Sequence, residues 1–68
     1  MKISARNALA GKIVEIKMGT TTAHVMVDVG GTIVTASITN ESVDDLGLKV
    51  GEKVHAVIKS SDVMIAVP

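Results

Sequence analysis

Thr39-Asn40-Glu41-Ser42-Val43-Asp44-Asp45-Leu46-Gly47 interrupts a chain that otherwise reads as β-strands, and this interruption decides the fold. Thr39 or Asn40 is suited to act as an N-cap. Acidic residues follow near the positive end of the segment, and Gly47 provides a stop. The segment is long enough for a short helix only. On its N-terminal side, Ala8 to Met18 predicts a first strand whose alternation is imperfect, as expected if both faces are partly buried. Gly19 and Thr20 mark a turn. From Thr22 to Val29 the alternation is regular: Ala23, Val25, Val27 and Val29 oppose Thr22, His24, Met26 and Asp28. Gly30-Gly31 is a hairpin signal, and Thr32 to Thr39 is rich in the β-branched residues that suit a pleated surface.

On the C-terminal side, Leu48 to Glu52 is a tight connection. Lys53 to Lys59 and Val63 to Val67 predict two further strands, separated by a polar corner at Ser60-Ser61-Asp62. The one proline, Pro68, sits at the end, where it removes no ladder bond. Three strands, a short helix and two strands predict an all-β fold: a five-stranded OB-like Greek-key barrel with one short helix between strands 3 and 4. A β-sandwich fragment or an SH3-like barrel is the rival arrangement, and the helix after the third strand favours the OB form. Residues 1–68 read as one domain.

Composition narrows the function. A chain of 68 residues buries only about 60% of its unfolded surface and is marginal without disulfides, metal or association. There are no cysteines, and His24 and His55 lack metal-ligand spacing, so oligomerisation is the expected stabiliser. Seven basic residues balance seven acidic ones, and Phe, Tyr and Trp are absent. Nucleic-acid binders show a basic excess and stacking platforms, so DNA and RNA are disfavoured as partners. No apolar run approaches the ~20 residues needed to cross a bilayer, and no signal-peptide pattern is present. The expected location is cytoplasmic, with no membrane partner. No nucleophile–base pair or metal constellation can be nominated, so a binding protein is expected and not an enzyme.

What remains is donor chemistry at the two chain ends. Ser4-Ala5-Arg6-Asn7 and Lys59-Ser60-Ser61 each place a cation beside small hydroxyl donors. A tetrahedral oxyanion calls for that combination: a guanidinium fork, a compact ammonium and neutral hydroxyls. In an extended segment Ser4 and Arg6 point to the same side. The ordinary alternatives are that Arg6 is solvated or pairs with Asp62 or Glu52, and that the serines cap a turn. A turn at Ser60-Ser61 also exposes backbone N–H groups that bind anions. Thr39 and Ser42 have two available uses as well, capping the helix or donating hydroxyls to an anion beside it. Asp44-Asp45 is read as a solvated or helix-start pair, and the methionines as filler of core or interface.

Three ordered segments then carry a resemblance. Ser4-Ala5-Arg6-Asn7-Ala8-Leu9-Ala10-Gly11-Lys12-Ile13 closely resembles the opening signature of the molbindin, or Mop-domain, family. Ala36 to Ser42 with Leu46 to Gly51 resembles its central segment, and Val54 to Val63 its closing one. The resemblance covers essentially the whole chain. It implies an OB-like fold, binding of molybdate or tungstate at subunit interfaces, and a homohexamer arranged as a trimer of dimers. No organic cofactor is implied, and no directly coordinated metal. Position by position, the family's oxyanion ligands fall on Ser4, Arg6, Thr39, Ser42, Lys59 and Ser60. Ser60 stands where the family often has alanine; the backbone N–H survives that change. The hexamer implies further sites on its threefold axis, for which the Gly19-Thr20-Thr21 turn is the candidate. The expected function is storage and homeostasis of the oxyanion. The alternatives are a ligand-sensing module acting through a partner protein and, less favoured, a nucleic-acid-binding OB domain.

Overall fold

A computed structural model describes residues 1–68. Four strands form one antiparallel sheet: β1 (Asn7–Met18), β2 (Thr22–Asp28), β3 (Ile33–Thr39) and β4 (Lys53–Ile58), in the order β3-β2-β1-β4. The helix α1 (Asn40–Leu46) lies between β3 and β4, and a 3-10 turn spans Ser60–Asp62. The architecture is an all-β, OB-like curled sheet with one short helix.

The curl originates in β1, which serves two partners. Its first half, Asn7 to Lys12, pairs with β4, and Lys12 to Met18 pairs with β2. The register slips where Ile13 faces Val27 and Glu15 faces Met26, which leaves Val14 as an extra residue. Such a β-bulge bends its strand and increases the local twist. It also reverses which side chains point inward: Ile13 is buried before the bulge, and Ile16 is half-buried after it, at the opposite parity. The imperfect alternation of β1 therefore records a bulge, and not simply burial on both faces. Opposite this bend the Gly51 N–H donates to the Ile13 carbonyl (2.7 Å) and the Ile13 N–H to the Glu52 carbonyl (3.0 Å). Both backbone polar groups of Ile13 are thus bonded to the Gly51-Glu52 segment.

Close approach at the handover between partners requires Gly11. A Cβ there would lie 2.5 Å from the Asp28 carbonyl oxygen and 2.7 Å from Val27 Cγ1. β2 keeps the alternation read from sequence, with Ala23, Val25 and Val27 buried. The hairpin to β3 turns at Gly30 and Gly31, whose φ angles of 107° and 98° suit a glycine pair in a tight turn. Thr39 is the N-cap of α1: its Oγ1 accepts from the Ser42 N–H at 3.0 Å. Gly47 ends the helix in the left-handed conformation. Val43 is the helix side chain that enters the core, joining Ile13, Ala23, Val25 and Val27.

The expected fifth strand is absent. Residues 63–68 form no ladder, and Met64 and Ile65 are 91% and 87% exposed. A strand needs a free edge to pair with. After the 3-10 turn the tail pairs with neither edge of its own sheet, so apolar composition alone does not make it a strand. In consequence the barrel is open between β3 and β4. Val34, Ala36 and Ile38 on one edge strand and Val54 and Ala56 on the other stay half-buried around an uncovered apolar groove.

Candidate functional site

The two donor clusters from opposite ends of the chain meet at one end of the sheet. Asn7 pairs with Ile58 at the last rung of the β1–β4 ladder, so Arg6 and Lys59 are the next residues outward on adjacent strands. Asn7 secures this rung, its Nδ2 donating to the Ile58 carbonyl at 3.2 Å. Ser4, Arg6, Lys59 and Ser60 are all exposed, and none of their side chains makes a hydrogen bond or an ion pair. The ion pair allowed for Arg6 with Asp62 or Glu52 does not form; the one ion pair in the chain joins Lys17 to Glu15 at 3.7 Å. Two adjacent unpaired cations repel each other, and a divalent anion seated between them removes that repulsion. The corner adds donors. Lys59 and Ser60 carbonyls accept the Asp62 and Val63 N–H groups, while the Ser60 and Ser61 N–H groups stay free.

Thr39 and Ser42 lie elsewhere. Thr39 pairs with Thr22 beside the Met18 end of β1, whereas Arg6 precedes the Asn7 end. Eleven residue steps of about 3.3 Å give β1 a contour of roughly 36 Å, slightly more than the 34 Å longest dimension of the molecule, which its bend accommodates. One chain therefore cannot bring these groups onto a single small anion. The structure divides the six residues into a cationic half, with Ser4, Arg6, Lys59 and Ser60, and a neutral half, with Thr39 and Ser42.

The neutral half is well organised. Thr39 Oγ1 donates to Ser42 Oγ at 2.8 Å while accepting the Ser42 N–H, so the capping role is real and occupies the Thr39 hydroxyl. The Gly19-Thr20-Thr21 turn packs against this same half. Asn40 ties them together, its N–H donating to the Thr21 carbonyl (2.8 Å) and its Nδ2 to the Gly19 carbonyl (2.9 Å). Asn40 Oδ1 is buried with no donor, an acceptor that an approaching N–H or O–H would satisfy. Sequence reading assigned Asn40 only a capping role. Its partner Gly19 is 21 residues away, and no local spacing signals that contact.

His24 and His55 are exposed on strand faces, opposite Ser37 and Ala10 respectively, and join neither half. Asp28 is the one group with a clearly displaced pKa. N–H groups of Gly31 and then Gly30 donate to its Oδ1 at 2.7 and 3.0 Å and hold the carboxylate below its usual range. No helix is long and apolar enough to cross a membrane.

Comparison with known proteins places this geometry in context. Residues 3–65 match the TOBE domain family. The chain is 53% identical over 66 residues to molybdenum-pterin-binding protein 3 of Clostridium pasteurianum, spanning 96% of this chain and 97% of that protein. Its fold superimposes on a molybdate-binding protein from Sporomusa ovata with a TM-score of 0.94 at 42% identity, covering 98% and 100% of the two chains. A TM-score of 0.94 at 43% identity is also found with the cytoplasmic molybdate-binding protein ModG in its molybdate-bound form; all of this chain matches 49% of that one. These relatives are named as binding proteins and not as enzymes.

Proposed function

Because the chain belongs to the TOBE domain family, among the molbindin or Mop proteins, we propose that it binds molybdate, and tungstate as a near-isostere, at seams between subunits. The observation that carries this reading is the division of donors between opposite ends of β1. A twofold axis brings the cationic half of one copy against the neutral half of the other, and by symmetry creates two equivalent composite sites. In each site the Arg6 fork and Lys59 ammonium offset the divalent charge, and Ser4, Ser60 and Ser42 donate to remaining oxygens. The buried Asn40 Oδ1 supports the same reading, since a donor brought by the second copy would satisfy it. Repetition of the pair around a threefold axis gives the hexamer that the family resemblance implies, with the Gly19-Thr20-Thr21 turn a candidate for an axial site.

With no catalytic constellation, the role is storage: a cytoplasmic, non-enzymatic buffer of the oxyanion. Discrimination against sulfate rests on pocket size, because the hydrogen-bonding pattern is nearly the same. Isothermal titration tests this directly. Molybdate and tungstate should compete for the same sites while sulfate competes weakly. Combined Arg6→Ala and Lys59→Ala substitution should reduce affinity at least tenfold, about 1.4 kcal/mol. Unchanged binding in the double variant would refute the site assignment.

A further inference from the structure

We infer that Lys12, Lys53 and His55 build a second anion site on the outer face of the sheet, and that it takes the phosphoryl group of a small phosphorylated organic molecule. The site is separate from the seam. Six strand steps of about 3.3 Å divide Lys12 from Arg6, and six divide Lys53 from Lys59, roughly 20 Å in each case. No single small anion reaches both places.

The three basic groups share one face. Lys12 and Lys53 are direct register partners across β1 and β4, and Ala10 opposite His55 is the next pair on that face. Along β4 the exposed Lys53, His55 and Val57 alternate with the half-buried Val54, Ala56 and Ile58. Directly opposed residues have Cβ atoms about 5 Å apart, and the two-residue step to His55 adds about 7 Å. The flexible lysine stems are long enough to bring both ammonium groups to one point beside the imidazole.

No internal acid meets this charge. The one ion pair in the chain joins Lys17 to Glu15. Asp28 is the register partner of Lys12 on β2, but its Oδ1 accepts the Gly30 and Gly31 N–H groups at 3.0 and 2.7 Å, and it forms no ion pair with the lysine. Like charges directly opposite each other are destabilising. A local conflict of this kind, left without internal compensation, is expected at a functional position.

A pocket of about 490 Å³ lies at the same place, lined by the three basic groups, with Ala10, Val29 and Val54 as its apolar surface. That volume falls within the roughly 300–1,000 Å³ of small-molecule sites and exceeds what a bare oxyanion fills. The donor set selects the ligand. Three convergent donors match the three terminal oxygens of a phosphomonoester, whereas a carboxylate offers two. Two ammonium groups offset its charge of nearly two. Asp28 flanks Lys12 on the β2 side and Lys53 flanks it on the β4 side, so the phosphoryl group is confined to the Lys53–His55 side. The remaining space over Ala10 and Val54 receives the organic part.

Titration of the whole protein, first given saturating molybdate to fill the seam sites, tests the inference by amide NMR, with AMP as the probe and inorganic phosphate as the control. AMP should shift the amides of Ala10, Lys12, Lys53 and His55, and bind at least about tenfold more tightly than inorganic phosphate. Combined Lys12→Gln and Lys53→Gln substitution should weaken AMP binding at least about tenfold and leave molybdate affinity unchanged. It should melt no lower than the parent, because the repulsion between the lysines is gone, so lost binding cannot be ascribed to unfolding. Unmoved amides, equal affinity for AMP and inorganic phosphate, or undiminished AMP affinity in this variant overturns the proposal. The combined Arg6→Ala and Lys59→Ala variant separates the two sites. AMP binding lost there and kept in the glutamine variant places the phosphate at the seam and defeats the second site. AMP binding on the outer face of a protein that takes up no molybdate leaves the second site standing and defeats the oxyanion reading.

Discussion

Gly11→Ala offers a direct test of how β1 passes from one partner strand to the other. The added Cβ would meet the Asp28 carbonyl oxygen at 2.5 Å and the Cγ1 atoms of Val27 and Val29 at 2.7 and 2.9 Å, all closer than 3.0 Å. One of these neighbours is backbone and cannot rotate aside, so β1 and β2 must part by several tenths of an ångström. Overpacking of this kind costs about 1–3 kcal/mol. The loss of unfolded-state freedom on replacing glycine returns about 0.4–1 kcal/mol. The midpoints of these ranges leave a net destabilisation of about 1.3 kcal/mol, equivalent to a fall in Tm of roughly 5–10 °C for a domain of this size. Differential scanning calorimetry at fixed protomer concentration is the assay, because association makes Tm concentration-dependent. Gly30→Ala is the informative companion. A Cβ there meets nothing within 4 Å, and its cost arises from a φ of 107° alone. Amide shifts at Val27–Val29 should therefore move in the Gly11 variant and much less in the Gly30 variant. A Gly11→Ala protein that melts within about 2 °C of the parent would refute the close-approach argument.

Thr39→Ala removes both the cap that accepts the Ser42 N–H and the hydroxyl that donates to Ser42 Oγ; it should cost about 1 kcal/mol of stability and weaken molybdate binding, read by calorimetry and titration. Acidification should weaken the β2–β3 turn. The Asp28 carboxylate is held below 3.8 in the folded chain, so its contribution is complete above that value and is lost as pH falls through it towards the folded pKa. Asp28→Asn should flatten that part of the Tm-versus-pH curve, and an unchanged curve would exclude Asp28 as its source. Lys12 and Lys53 face each other directly across β1 and β4, an unfavourable cross-strand pair. Lys53→Glu should accordingly raise Tm at low ionic strength and lose most of that gain in about 1 M salt.

Much of the fold was legible because its signals are local. The Thr39 cap, the Gly47 stop and the Gly30-Gly31 hairpin each depend on a few adjacent residues, and all occur where the residue types indicated. The regular alternation of β2 likewise matches its burial. Two features were not legible for a shared reason: they depend on partners distant in sequence. The bulge at Val14 is defined by the register against Val27 and Met26, so the sequence displays only its symptom, an inward set that changes parity between Ile13 and Ile16. Residues 63–67 have strand composition, but composition does not specify which edge, or whose, receives them. The candidate site divides in the same way. Residue chemistry singled out Ser4, Arg6, Lys59 and Ser60, and the β1–β4 register sets Arg6 and Lys59 on adjacent strands just beyond its last rung. That Thr39 and Ser42 lie at the far end of β1 follows from pairing alone. Asn40, whose carboxamide holds the turn against the helix, had no sequence signal beyond its capping propensity.

The turn at Gly30-Gly31 has a consequence for selectivity. Two successive N–H groups in a concave backbone form the kind of nest that attracts oxyanions without discrimination, and here both are already engaged by Asp28. The chain thus carries a tethered competitor at one of its own anion-attracting corners. An anion arriving from solvent meets an occupied seat there at neutral pH, and the neutral net charge of the protein gives it little reason to linger. Vacancy is reserved for the corner at Ser60-Ser61, whose N–H groups face no internal carboxylate.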